Sequence, residues 1–205
     1  MTVEPLLIAT RSAGKLRELR ELFRGVGIPV IDLDEAGIPA TDAEDELESA
    51  DTFEENALLK ARYFAECAGR SVVADDSGLE VEALGGQPGV RSRRWSGRTD
   101  LSGSQLDDAN NARLLAALGG LKGRRARYVC VAAYVNGVRE MTFRGITSGS
   151  ILEHPRGSGG FGYDPYFLSD ELGISFGEAG VEEKERVSHR GRAFRALLAS
   201  LTERR

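Results

Sequence analysis

The run Asp75-Asp-Ser-Gly78 places two adjacent carboxylates directly after the apolar stretch Ser71-Val-Val-Ala74. The C-terminal end of a buried strand is where open α/β sheets hold ligands. One carboxylate there could hold a divalent metal while the other activates a water. Side chains alternate along a strand, so only one faces a given pocket unless the chain turns. Asp, Ser and Gly also favour turns, and a solvated turn fits the same residues. A second cluster is Thr10-Arg-Ser-Ala-Gly-Lys15, which follows the apolar run Pro5–Ala9. Hydroxyls, backbone N–H groups and a lysine at a helix start suit a phosphate. The leading glycine and the Ser/Thr after lysine that define a Walker A loop are missing, and an ordinary strand–helix connection with a solvated lysine is the alternative. Between Asp42 and Glu55 lie eight carboxylates in fourteen residues. Most belong to a solvated loop. Glu48 and Glu55 are the candidate metal ligands, and Glu48 ranks first because Glu55 completes a capping box with Thr52.

Two later segments add to these. Gly157–Gly162 matches GxGxxG, but Asp164-Pro165 follows where a dinucleotide site needs a helix. The better reading is a close-approach loop that offers Phe161 as a stacking surface, against the alternative of a long turn. Ser188 is an adequate N-cap for a final helix. His189 and Arg190 would then sit at its positive end, against the dipole, in a position suited to a bound anion. Lys184, just upstream, reads equally well as a surface lysine.

These residues need a frame. Leu16, Leu19, Leu22 and Phe23 recur at helical spacing after the first strand, and Ile28–Ile31 reads as a second strand. Thr52 opens a helix with an apolar face of Phe53, Ala57, Leu58, Ala61, Phe64 and Ala65. Ser71–Ala74 is a strand, Leu79–Ala83 an exposed strand, and Ala109–Leu118 a helix ended by Gly119-Gly120. Ala126–Val135 and Val138–Thr147 flank Asn136-Gly137, a strong hairpin signal. The last helix packs through Phe194, Leu197, Leu198 and Leu201. Early strand–helix alternation with a late hairpin predicts a mixed α/β sheet in one domain over residues 1–205, with two lobes around a cleft.

The 205 residues, 41% apolar and 29% charged, fit a globular protein with a full core and exclude disorder or a fibre. A net charge of -5 argues against broad binding to nucleic acid. Cys67 and Cys130 cannot form a disulfide framework or a CxxC site, so a reducing compartment is expected. The N-terminus lacks a basic leader, and no run approaches the roughly 20 apolar residues of a membrane span. A cytoplasmic location follows.

Together the segments resemble one family, the inosine triphosphate pyrophosphatases, also called dITP/XTP or non-canonical purine NTP pyrophosphatases. The matching stretches are Ala9–Lys15, Thr52–Ala57, Ala74–Leu79, Leu84–Gly89, Gly159–Pro165 and Ser188–Arg190, in family order across almost the whole chain. The resemblance implies an elongated α/β fold with a mixed sheet, flanking helices and a nucleotide cleft, paired as a homodimer. It implies magnesium-assisted hydrolysis of ITP, dITP and XTP between the α and β phosphates, releasing a monophosphate and pyrophosphate and clearing the nucleotide pool. No nucleic acid or membrane partner is implied.

Residue by residue, the resemblance puts Thr10, Ser12 and Lys15 on the triphosphate, with Arg11, Ala13 and Gly14 completing that loop. Asp76 becomes the proton acceptor, and Glu48, Asp75 and Asp76 the metal carboxylates. Ser77 and Lys60 approach substrate and phosphates. Phe161 stacks on the purine, flanked by Gly162 and Tyr163, and Asp164, Lys184, His189 and Arg190 surround the base and sugar. The family usually has asparagine at Ser12 and often glycine at Arg11. Two rival readings are weaker. A Maf-type pyrophosphatase is opposed by Phe161–Asp164 and Ser188–Arg190. A nucleotide sensor without turnover is opposed by Lys15, Asp75 and Asp76, and only Ser12 leans towards it.

Overall fold

The computed structural model describes residues 4–202, apart from the side chain of Asp45. The elements run β1 (Leu6–Ala9), α1 (Ala13–Gly25), β2 (Val30–Asp32), α2 (Phe53–Ala68), β3 (Val72–Val81), α3 (Gly103–Leu118), β4 (Arg125–Val135), β5 (Glu140–Ile151), β6 (Phe167–Ser169), α4 (Val181–Val187) and α5 (His189–Thr202). Short 3₁₀ turns interrupt the longer connections, including one over Asp42–Glu48. The six strands form one sheet in the order β2-β1-β3-β4-β5-β6. β1 pairs in parallel with β2 and β3, whereas β5 pairs antiparallel with β6, so the sheet is mixed. The α/β class is as expected.

The chain divides into two compact units. The first comprises residues up to Asp76, Cys130–Gly145 and Arg190 onward, and the second Ser77–Val129 and Ile146–His189. β3, β4 and β5 each contribute residues to both. The core of the first unit is built from Ile8, Leu19, Phe23, Val73, Ala132 and Phe194 among others, with Phe23 and Phe194 meeting edge to face at 6.0 Å. The core of the second gathers Leu79, Val81, Leu114, Phe167 and Phe176 around Tyr128.

Local chemistry explains most elements. Ser12 caps α1 by accepting the Lys15 N–H, and Thr52 caps α2 by accepting the Glu55 N–H. The β4–β5 turn is built on Asn136, whose Oδ1 accepts the N–H groups of Val138 and Arg139, and on Gly137 at φ 75°. Three expectations shift. β3 does not stop at Ala74; it runs on through Asp75-Asp-Ser-Gly78 to Val81, and Leu79 and Val81 are buried rather than exposed. β1 pairs with it only over Val72–Ala74; beyond that β3 lies beside β4, the Leu79 N–H is taken by Ser92 Oγ and Glu80 bridges Pro88, so partners distant in sequence outweigh the turn preference of these residues. α3 begins at Gly103, several residues early. Residues 181–187 form a separate helix, α4, so Ser188 is an extended link between two helices. No helix among the described residues is long and apolar enough to cross a membrane.

Candidate functional site

In the first unit the phosphate-loop candidates lie between the buried strand β1 and α1. Thr10 Oγ1 accepts the Ser12 N–H at 3.2 Å and Ser12 Oγ accepts the Lys15 N–H at 3.4 Å, so the loop is wound onto the helix by its own hydroxyls. The first N–H groups of any helix lack intrahelical acceptors and attract anions, and Ala13 and Gly14 occupy these positions. Arg11 turns elsewhere. Its guanidinium binds Glu44 at 2.8 Å, Asp34 at 3.2 Å and the Ile38 carbonyl at 2.9 Å, leaving its backbone for any ligand contact.

Lys15 Nζ instead reaches Asp75 Oδ2 at 3.1 Å. The same oxygen receives Arg190 Nε at 3.3 Å and Cys130 Sγ at 3.9 Å. Arg190 is completed by an ion pair with Glu18 on α1. Burial works against the guanidinium charge, but Glu18 and Asp75 outweigh it and the pKa is raised. Arg190, expected beside His189 at the base and sugar end, therefore spends its side chain on Asp75 and Glu18.

Asp76 has different company. Its Oδ2 accepts Asn56 Nδ2 at 2.9 Å, and Asn56 also holds Ala50 through that residue's N–H at 2.9 Å and carbonyl at 3.3 Å. Burial raises the Asp76 pKa, and the charges of Lys15 and Lys60 only partly pull it back. Lys60 is buried, paired with Glu48, and donates to the Asp75 carbonyl at 3.1 Å. Burial alone would discharge it, but Glu48, Asp75 and Asp76 raise its pKa and keep it an ammonium.

Among the described residues, no three or more His, Cys, Asp and Glu side chains are grouped to ligate a metal by themselves. Magnesium does not ask for that. It binds through one or two carboxylates and takes its other ligands from water and substrate phosphates. A buried Asp76 that feels the Glu48 charge is a donor set of that kind, and the residues fit the ion.

The second unit gathers another constellation. Asp164 Oδ2 accepts Lys184 Nζ at 2.7 Å and the Phe161 N–H at 2.8 Å, and its Oδ1 accepts Tyr128 Oη at 3.3 Å. Lys184 Nζ lies 5.2 Å from the centroid of Phe161 and 5.5 Å from that of Phe176. The ring of His189 stacks on Tyr128 at 4.5 Å. The glycines here have a reason. A Cβ on Gly160, which has φ +73°, would come within 2.1 Å of Asp164 Oδ2. No helix follows this loop directly; the short turn Asp164–Tyr166 leads into β6. Ser77 is half-buried on β3, and Tyr163 is buried with its hydroxyl donating to the Ser92 carbonyl at 2.7 Å.

The structure thus brings Lys15, Lys60, Glu48, Asp75 and Asp76 into one network, and Phe161, Asp164, Lys184 and His189 into another. Sequence reasoning missed Asn56, Glu18, Tyr128, Asp107 and Asn111. Asn56 had a signal, because helical spacing puts it and Lys60 on the same face of α2 as Phe53, Ala57 and Phe64. The others had none in a single sequence.

Comparison with known proteins bears on the family. A family model described as the Ham1 family matches residues 6–200. The dITP/XTP pyrophosphatase of Frankia alni is 46% identical over 202 residues, covering 97% of each chain. That of Thermus thermophilus is 47% identical over 197 residues, 94% of this chain and 89% of that one. Among solved structures, the Staphylococcus aureus Ham1 protein matches with a TM-score of 0.82 at 34% identity, over 98% of this chain and 100% of that one. A Coxiella burnetii HAM1 protein gives 0.83, also at 34% identity and with the same coverage. The chain belongs to the Ham1 family.

Proposed function

We infer that this chain is a nucleoside triphosphate pyrophosphatase that hydrolyses non-standard purine nucleotides, ITP, dITP and XTP, to the monophosphate and pyrophosphate. Its dITP/XTP pyrophosphatase relatives support the reaction and substrate class. The observation that carries the chemistry is the charge arrangement on β3, where Asp76 is buried, held by Asn56 and flanked electrostatically by two lysines.

A triphosphate carries about four negative charges near neutral pH, which must be offset before a nucleophile approaches. The α1 N-terminus, Thr10, Ser12 and Lys15 take the phosphates, and Lys60 adds positive charge beside Asp76. Asp76 orients a water and accepts its proton as the oxygen attacks the α-phosphorus. Its raised pKa makes it a stronger base than an exposed aspartate. Pyrophosphate departs as the α–β bond breaks, its charge stabilised by the lysines. Glu48 and Asp76 would hold magnesium, which would neutralise phosphate charge there. Asp75, fixed by Lys15 and Arg190, keeps this side of the strand in register.

For the base, Phe161 offers a stacking face. Lys184 and His189 supply donors toward the carbonyl that hypoxanthine and xanthine carry where adenine carries an amino group. A mismatched polar contact can cost several kcal/mol, roughly two to four orders of magnitude in discrimination. Magnesium as the metal, a cytoplasmic location and a homodimeric state rest on the resemblance to the family.

The test is pyrophosphate release with magnesium, comparing ITP, dITP and XTP with ATP, GTP and CTP, and assaying orthophosphate in parallel. Selective pyrophosphate release from the first three supports the reading. Equal turnover of all six would overturn the base-recognition part, and orthophosphate as product would overturn α–β cleavage.

A further inference from the structure

We infer that Asp107 and Asn111 are positioning residues for the Phe161 platform, holding the peptide that follows it from one face of α3. They lie four apart on α3 and so project from the same side of the helix. Asp107 Oδ2 accepts the Gly162 N–H at 2.8 Å. Asn111 Nδ2 donates to the Gly162 carbonyl at 2.9 Å and to the Asp107 carbonyl at 2.9 Å. Both polar groups of Gly162 are thereby tied to one helix. On the other side of Phe161, its own N–H is held by Asp164. The aromatic ring is thus carried on a backbone anchored before and after it.

The anchoring matters because of what the loop is made of. Gly157, Gly159, Gly160 and Gly162 stand within six residues, and Gly160 and Gly162 have φ of +73° and +63°. Such a segment loses more conformational freedom on ordering than any other. Left alone, it would be ordered only when a base arrives, and that cost would come out of affinity. Clamped to α3, the ring is set before the ligand binds. A deep, fully buried strut is not needed for fold stability here: Asp107 is half-buried and α3 is already fixed in the core by Leu114 and Leu118. Asn111 is itself buried.

The inference rests on Phe161 being the base platform, so the experiment separates the two. Steady-state kinetics on ITP with magnesium would compare wild type, Phe161→Ala, Asp107→Ala, Asp107→Asn, Asn111→Ala and the Asp107→Ala/Phe161→Ala double variant. Asp107→Ala is expected to raise KM about tenfold with kcat within about twofold, the size expected for losing a hydrogen bond to a charged acceptor. Asp107→Asn is expected to recover most of this, because its amide oxygen can still accept the Gly162 N–H. Asn111→Ala is expected to raise KM about three- to tenfold. The double variant is expected to be no worse than Phe161→Ala, since a platform already removed cannot be misplaced. If Phe161→Ala raises KM and Asp107→Ala and Asn111→Ala do not, the inference falls and the platform stands. If Phe161→Ala leaves KM unchanged, the platform reading itself falls and takes the inference with it. Equal loss in Asp107→Ala and Asp107→Asn, or additive effects in the double variant, would also overturn it. Should Asp107→Ala fail to fold, Asp107→Asn against Asn111→Ala decides the matter.

Discussion

Asp75 and Asp76 are consecutive on β3, yet their carboxylates are held by different partners. Asp75 Oδ2 lies 3.1 Å from Lys15 Nζ and 3.3 Å from Arg190 Nε, whereas Asp76 Oδ2 accepts Asn56 Nδ2 at 2.9 Å. Because the strand continues through them, alternation sends the two side chains to opposite faces. The pair therefore divides into a charge that organises cations and a carboxylate kept for chemistry.

That division has measurable consequences. Asp76→Asn is expected to lower kcat by about 10²–10⁴-fold, the usual worth of a general base. Its amide oxygen still accepts from Asn56, so melting temperature and ITP binding should change little. Asp75→Asn is expected to act mainly on the fold. It leaves Lys15 and Arg190 facing a neutral group in a buried place, at a cost of about 3 kcal/mol. Denaturant unfolding of both variants beside pyrophosphate release checks this. Undiminished turnover in Asp76→Asn would remove it as the base.

A second expectation concerns Gly160. An alanine there would put its Cβ 2.1 Å from Asp164 Oδ2, at a φ of +73° that side chains rarely adopt. Asp164 would have to move, releasing both the Phe161 N–H and Lys184. Gly160→Ala should raise KM for ITP by about tenfold or more, the scale of one lost charged hydrogen bond. Selectivity for ITP over ATP should fall with it. A variant with wild-type KM and selectivity would show that the Asp164–Lys184 pair has no part in reading the base.

Much of this was readable before the structure, where local chemistry decides the outcome. Thr52 caps α2 as expected by accepting the Glu55 N–H, although the Glu55 carboxylate takes the Thr52 hydroxyl rather than its backbone N–H, and Asn136-Gly137 makes the expected turn. What failed was decided by distant residues. Asp75-Asp-Ser-Gly78 reads locally as a turn, but β3 runs on through it beside β4, with cations on the Asp75 carboxylate and Asn56 on that of Asp76. Lys184 looks like a surface lysine in a short polar run until Asp164, twenty positions upstream, supplies the partner that lets it be buried. Asp107 looks like any solvated helix carboxylate, because nothing near it in sequence announces the Gly162 amide.

A third expectation concerns Ser12, where the resembling family carries asparagine. Ser12 Oγ caps α1, and asparagine is an equally good N-cap. Ser12→Asn should therefore leave thermal stability unchanged, whereas Ser12→Ala should cost about 1 kcal/mol. Any change in KM for ITP in the asparagine variant then reports contact with the phosphates, free of a folding effect. Equal melting of all three proteins would show that the cap carries no stability.

Lys60 and Glu48 allow the metal carboxylate to be separated from its counter-ion. The Lys60 side chain is 10% exposed and that of Glu48 27%, so the lysine is the more deeply committed partner. Lys60→Met keeps the apolar stem but leaves the Asp75 carbonyl without this donor and removes positive charge from beside Asp76. It should cost about 1–3 kcal/mol of stability and lower kcat/KM. Glu48→Gln retains an oxygen for Lys60 to donate to but removes a charge that keeps it an ammonium, so its melting temperature should fall, by less than that of Lys60→Met because Asp75 and Asp76 still favour the charged lysine. A carboxamide is a poorer magnesium ligand than a carboxylate, so the magnesium concentration for half-maximal pyrophosphate release should rise. Magnesium titrations of activity alongside melting curves for both variants separate the two effects. If Glu48→Gln instead melts as early as Lys60→Met and keeps the wild-type magnesium requirement, Glu48 serves only as the counter-ion that lets Lys60 be buried.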